Sequence, residues 1–232
     1  MIQTIDKFFV IDFDRCLGNV GANFDLLKKV THELLIIDET IFQKACDRAE
    51  INEVSFNAFD YLKKYKTNIN LETVEEQFIK YSKFATKELL EPGAIEFVDF
   101  LKSNNYNFCI MSYGEKRWQM LKIIAVGLEN IPTTIVQSSM KGEYISNWVN
   151  SKNGRFNIPS NCFSDNISKE AKEVILVDDK FIAFEKLPIG ARGYLIETSS
   201  KRDKGVKKIL MPSIVKRISR IDEIISNENL MQ

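Results

Sequence analysis

Lys7-Phe8-Phe9-Val10-Ile11-Asp12-Phe13-Asp14-Arg15-Cys16-Leu17-Gly18 sets an apolar run against two carboxylates and closes on a glycine. Phe8 to Ile11 has the length and make-up of a buried strand. Asp12 and Asp14 follow, with Phe13 between them. Carboxylates at the end of a buried strand are costly unless something pairs with them. A metal ion is the simplest partner, and oxygen ligands grouped in this way suit Mg2+. Alone, an aspartate after a strand is more often a turn former or a helix N-cap, so the pair needs support from the rest of the chain.

The chain has 232 residues, 44% hydrophobic and 28% charged, enough for one sizeable core and a smaller satellite domain. Lys+Arg and Asp+Glu both total 32, and the formal net charge of zero argues against bulk capture of nucleic acid or an anionic membrane. The basic cluster Lys201, Arg202, Lys204, Lys207 and Lys208 reads as a solvated loop. Cys16, Cys46, Cys109 and Cys162 are scattered without metal-finger spacing, and read as reduced thiols of an intracellular protein. The first residues carry no signal-peptide pattern, and no apolar run approaches the roughly 20 residues that span a bilayer. The expected location is the cytoplasm. The single His32 sits in a helical pattern, so His-based triads and zinc sites fit poorly.

After Gly21 the pattern turns helical. Phe24, Leu27, Val30, Leu34 and Leu35 share a face over 23–35. Asp38 caps a helix to about Ala49, Ser55 one to about Tyr65, and Asn70 one over 71–90 striped by Val74, Phe78, Tyr81, Phe84 and Ala85. Residues 19–90 therefore read as a helical insert placed to cover a site at Asp12 and Asp14. From Glu91 strands and helices alternate: helix 94–104, strand 108–111, helix 116–126, strand 133–136 and helix 142–150. Strand 174–177, strand 191–197, a further strand at 208–211 and a final helix at 221–226 follow. The polar stretch 151–172 reads as a long surface connection. Short apolar strands alternating with helices predict an α/β fold, a Rossmann-like parallel sheet with helices on both faces. Ligands in such sheets bind at the carboxyl ends of the strands. Three strands here end in polar groups, at Asp12/Asp14, Ser112 and Asp178/Asp179.

In that order these residues resemble the haloacid dehalogenase-like superfamily of hydrolases. The strand ending in Asp12-Phe13-Asp14-Arg15-Cys16 is similar to the family's first motif, and the strand ending in Ser112 to its second. Lys141, in Ser139-Met140-Lys141-Gly142-Glu143, matches the family's lysine, with Lys169 and Lys172 as rivals. Val174 to Val177 running into Asp178-Asp179 resembles the acidic motif. Cys16 departs from the threonine or valine usual there. The resemblance implies a catalytic core of residues 1–18 and 91–232, with 19–90 as a helical cap of the first type. Dehalogenating members generally lack an aspartate at the place of Asp14, so the resemblance favours the phosphatase branch.

What it implies chemically is a phosphomonoester hydrolysed through an aspartyl-phosphate on Asp12, with Asp14 as general acid and then base. Mg2+ would be held by Asp12, the backbone carbonyl of Asp14, Asp178 and Asp179. Lys141, Ser112 and the backbone N–H of Gly114 would meet phosphate oxygens. The acid role calls for an Asp14 pKa above that of a free carboxylate. Arg117 and Trp118 read as helix-surface and packing residues. Two rival readings share the resemblance: a phosphomutase or phosphotransferase, and an inactive phosphate- or nucleotide-binding module. A third, a polynucleotide-end phosphatase, would use the basic cluster. The expected partner is a small phosphorylated substrate, with no membrane and no nucleic acid; substrate identity and oligomeric state stay open.

Overall fold

β1 (Thr4–Ile11) lies inside a sheet and is buried on both faces, with Phe8 to Ile11 fully enclosed. Its side chains alternate, as a period of two demands. Phe9 and Ile11 enter one hydrophobic cluster, Phe8 and Val10 the other. The computed structural model describes residues 3–34, 36–51, 56–66, 68–197 and 214–229. Within these, β2 (Asn107–Tyr113), β3 (Thr133–Val136), β5 (Lys169–Asp178), β6 (Ala191–Ile196) and β7 (Val215–Ile218) join β1 in the order β3-β2-β1-β5-β6-β7, all parallel. β4 (Phe156–Ile158) adds an antiparallel pairing at the start of β5. The fold is the Rossmann-like α/β sheet that the alternating pattern predicts.

Among the described residues, four helices stand between β1 and the next core helix: α1 (Val20–Glu33), α2 (Glu39–Ile51), α3 (Ala58–Tyr65) and α4 (Leu71–Ser82). The chain leaves and re-enters the core side by side. Asn19 N–H donates to Leu89 O at 2.9 Å, and Glu91 N–H to Leu17 O at 2.8 Å. The core continues through α5 (Ala94–Ser103), α6 (Lys116–Ala125), α7 (Lys141–Ser146) and α8 (Glu223–Asn229). α6 ties the insert to the sheet. Trp118 is buried against Phe24, Phe59 and Phe78, with ring centroids 5.7, 5.9 and 5.4 Å away. Beside it Arg117 grips Glu75 of α4 through two hydrogen bonds, of 2.5 and 2.8 Å. Trp118 is thus packing, as its sequence context suggests, whereas Arg117 is a clasp between α6 and the insert.

Several boundaries differ from the sequence reading, each for a local reason. α1 starts at Val20, because the Asn19 side chain accepts from Ala22 N–H and caps it ahead of Gly21. Asn57 caps α3 in place of Ser55, which lies outside the described residues, as does Leu35. α4 ends at Ser82, well short of Leu90. There Ser82 Oγ donates to Ile79 O and Thr86 Oγ1 to Ser82 O, side-chain bonds that compete with the helical ladder. Phe84, expected in the apolar stripe, is 85% exposed. The stretch 151–172 is not all connection: it holds β4, a short turn of 3-10 helix at Ser160–Cys162 and the start of β5. Phe156 and Ile158 alternate inward around exposed Asn157, a signal too short to outweigh the polar surroundings. The basic cluster and the strand expected at 208–211 lie outside the described residues.

Replacing Trp118 with alanine removes the ring that three elements of the insert pack on. The expected loss of stability is about 3–5 kcal/mol, read from urea unfolding of the wild type and the variant.

Candidate active site

The order β2-β1-β5 brings Ser112, Asp12 and Asp178 to neighbouring carboxyl ends. Asp12 N–H still donates to Val177 O at 2.9 Å, so the pairing carries Asp12 beside the end of β5. Oxygens of Asp12, Asp178 and Asp179 all lie within 4.8 Å of one another. The three are 5%, 1% and 4% exposed. Lys141, 2% exposed, bridges two of them, with Nζ at 2.6 Å from Asp12 Oδ1 and 2.5 Å from Asp178 Oδ2.

Lys141 reaches this place because α7 begins hard against the loop after β5. A Cβ on Gly142 would stand 2.3 Å from Glu185 O, so only glycine permits the approach. The rivals are at the other end of β5. Lys169 pairs with Asp165 at 2.9 Å and Lys172 with Asp6 at 2.7 Å.

Asp14 points elsewhere. The loop after β1 turns tightly, with the N–H groups of Cys16, Leu17 and Gly18 all donating to Phe13 O. Gly18 is required there, since a Cβ would lie 2.4 Å from the Phe13 ring. The Asp14 carboxylate meets α6: Lys122 Nζ at one oxygen and Gln119 Nε2 at the other, the latter at 3.0 Å. Gln119 also accepts from Ser112 Oγ at 3.2 Å and donates to Tyr113 O at 3.2 Å. Arg15, with φ at 63°, brings Nη1 to 3.7 Å from Asp179.

Charge follows from these placements. Burial pushes the Asp12 carboxyl up to about 7; Lys141 opposes this, and Asp178, Asp179 and Asp14 add to it. Burial likewise raises Asp178 against Lys141. Lys141 is held charged, because its two carboxylate partners outweigh the burial that would strip its proton. Asp14 goes the opposite way. Burial would raise it, but the Lys122 charge and the hydrogen bonds from Lys122 and Gln119 bring it below the usual carboxylate range. This corrects the sequence expectation of a raised Asp14. The buried cation responsible, Lys122, comes from α6.

A cavity of about 380 Å³ opens over these groups. Asp12, Asp14, Arg15, Gln119, Lys122, Lys141, Asp178, Asp179 and Lys180 line its floor, and Gly21, Phe24, Asp25, Gln43, Cys46 and Asp47 of the insert line the opposite wall. Ser112 and Gly114 are not among the lining residues, and the fully buried Ser112 hydroxyl is turned to Gln119. The sequence reading missed Gln119, Lys122 and Arg15. A helix that puts Gln119 and Lys122 on the same side as a buried Trp118 was the available signal for the first two. Cys16 is buried next to the carboxylates, and burial raises its thiol well above the ordinary value.

Three buried carboxylates, two of them met by Lys141 and the third by the more distant Arg15, leave surplus negative charge. A hard divalent cation relieves it, and the all-oxygen donor set fits Mg2+.

No family model matches the sequence, and no curated protein matches it. Solved structures do. A protein of Burkholderia xenovorans LB400 described as a haloacid dehalogenase-like hydrolase is 17% identical, with a TM-score of 0.66 and 97% of each chain covered. Cytosolic 5'-nucleotidase IIIB, solved with cytidine, is 10% identical with a TM-score of 0.53, covering 97% of this chain and 86% of its own. A Thermotoga maritima protein described as a beta-phosphoglucomutase is 13% identical with a TM-score of 0.51, covering 97% of this chain and all of its own.

Because the Asp12 pKa is raised on folding, metal-free protein gains stability from this group below the carboxyl's unfolded range. It loses that gain as pH rises through about 7. Asp12→Asn removes the titration. In chelator, the variant should melt near the wild type at about pH 4 and several degrees above it at pH 8, at roughly 2–4 °C per kcal/mol for a domain this size. Thermal melts across pH check this.

Proposed function

On a chain with the haloacid dehalogenase-like fold, we propose that this site is that of a Mg2+-dependent phosphatase acting on a small phosphomonoester. The observation that carries the reading is the division between the two aspartates. Asp12 stands with Asp178, Asp179 and Lys141, while Asp14 lines the cavity apart from them. A nucleophile belongs among positive charges that attract phosphate, and a proton carrier belongs beside the leaving group. Nothing in a simple binding site calls for the second carboxylate.

Asp12, Asp178 and Asp179 would hold Mg2+, which supplies positive charge against the repulsion between a carboxylate and a phosphate. Lys141 adds charge at the transferring group. Asp12 attacks phosphorus and the ester oxygen leaves, forming an aspartyl-phosphate. Asp14 gives a proton to that oxygen, then takes one from the water that releases phosphate. Its lowered pKa suits the second step directly. For the first, a phosphate dianion arriving at Lys141 places negative charge near Asp14 and favours its protonation. Ser112 acts on this site through Gln119, and Gly114 offers a backbone N–H at the end of β2. Residues 19–90 form a cap whose wall selects the leaving group; a cavity of about 380 Å³ accommodates a small phosphorylated metabolite.

Phosphate release from an aryl phosphate, with Mg2+ and with chelator, tests the reading. Turnover should require Mg2+ and fall by about 10³-fold or more in Asp12→Asn. Folded wild type that binds Mg2+ but turns over neither the aryl phosphate nor a panel of metabolite phosphates would favour a binding module on this fold. Transfer to an added hydroxyl compound in place of water would favour a phosphotransferase.

A further inference from the structure

Lys122 is 2% exposed, yet it lies on a helix whose neighbouring turn faces the insert. A lysine is rarely enclosed to this degree without a charged partner. Its partner is the Asp14 carboxylate, which is 29% exposed and open to the cavity. The lysine head also sits near two aromatic rings, 5.3 Å from the Trp118 centroid and 5.5 Å from that of Phe13. Those rings favour its charge. Gln119, itself buried, takes the second Asp14 oxygen at 3.0 Å and is fixed by Ser112 and by Tyr113 O. Both carboxylate oxygens are thus held by side chains of one helix, and the carboxylate keeps one rotamer.

We propose that Lys122, with Gln119, is a positioning residue that holds the Asp14 carboxylate on the leaving-group side of the cavity, clear of the carboxylates of Asp12, Asp178 and Asp179. The inference rests on the phosphatase reading and deepens it. Among the described residues, the side-chain hydrogen bonds to the Asp14 carboxylate come from Lys122 and Gln119, and Lys180 adds only charge from farther away. Without Lys122 the carboxylate keeps one of its two anchors, at Gln119, and a misplacement of about 1 Å costs a reacting group on the order of 100-fold in rate. Lys122 itself is buried and points its charge at Asp14. It therefore acts through Asp14 and not on the substrate.

A double-mutant cycle tests this. Lys122→Met keeps the stem and removes the charge. On an aryl phosphate with Mg2+ we expect kcat to fall on the order of 100-fold with KM changed by less than about 3-fold. Asp14→Asn combined with Lys122→Met should be no slower than Asp14→Asn alone, within about 2-fold, because the lysine has nothing left to position. Losses that multiply in the double variant would overturn the proposal, since a general packing role damages both backgrounds alike. So would a Lys122→Met enzyme with wild-type kcat. Should Lys122→Met not fold, Lys122→Gln enters the same cycle with the same criteria. A wild type inactive on every phosphate ester overturns the phosphatase reading and this inference together, whereas an active wild type with additive losses overturns the inference alone.

Discussion

Three carboxylates crowd the carboxyl ends of two adjacent buried strands, and one buried lysine answers two of them. The strands bury their apolar runs, so Asp12 and Asp178 go in with them. Lys141 offsets part of that charge at 2.6 and 2.5 Å. Its arrival depends on backbone contact between α7 and the loop after β5, which the missing side chain of Gly142 allows. The remaining negative charge is what, on the proposed reading, would make the place a cation site and a phosphoryl-transfer site. A buried ion pair of this kind adds little net stability, and its value is chemical.

The second organising element is α6. One side of its first turns carries Trp118 into the insert, and Gln119 and Lys122 into Asp14. Arg117 clasps α4 from the same helix. The helix that anchors the insert is thus also the helix that seats the candidate acid. Packing of the insert and placement of one side chain in the site share a single rigid body.

Much of the architecture was legible because it rests on local signals. Phe8 to Ile11 and Val174 to Val177 are apolar runs of strand length, and Asn70 and Asp38 cap the helices they were expected to cap. Where the reading failed, short side-chain bonds had overridden periodicity, as at Ser82 and Thr86, or the signal was three residues long, as at β4. The convergence of Asp12, Ser112 and Asp178 followed from strand ends plus the parallel-sheet rule. The raised Asp14 pKa that the acid role calls for is not found in the free protein, because a buried cation stands beside the carboxylate.

By itself the sequence determined the strands that carry the site, their polar ends, and hence the edge of the sheet where a site forms, since strand and turn preferences act over a few residues. The tertiary structure alone decided which cation meets which carboxylate. Lys141 and Asp178 are 37 positions apart and Lys122 and Asp14 are 108 apart. Such pairings depend on how helices dock on the sheet, through backbone approach at Gly142 and ring packing at Trp118. Charge–charge energy varies steeply with distance and burial, and neither quantity exists until the chain has folded.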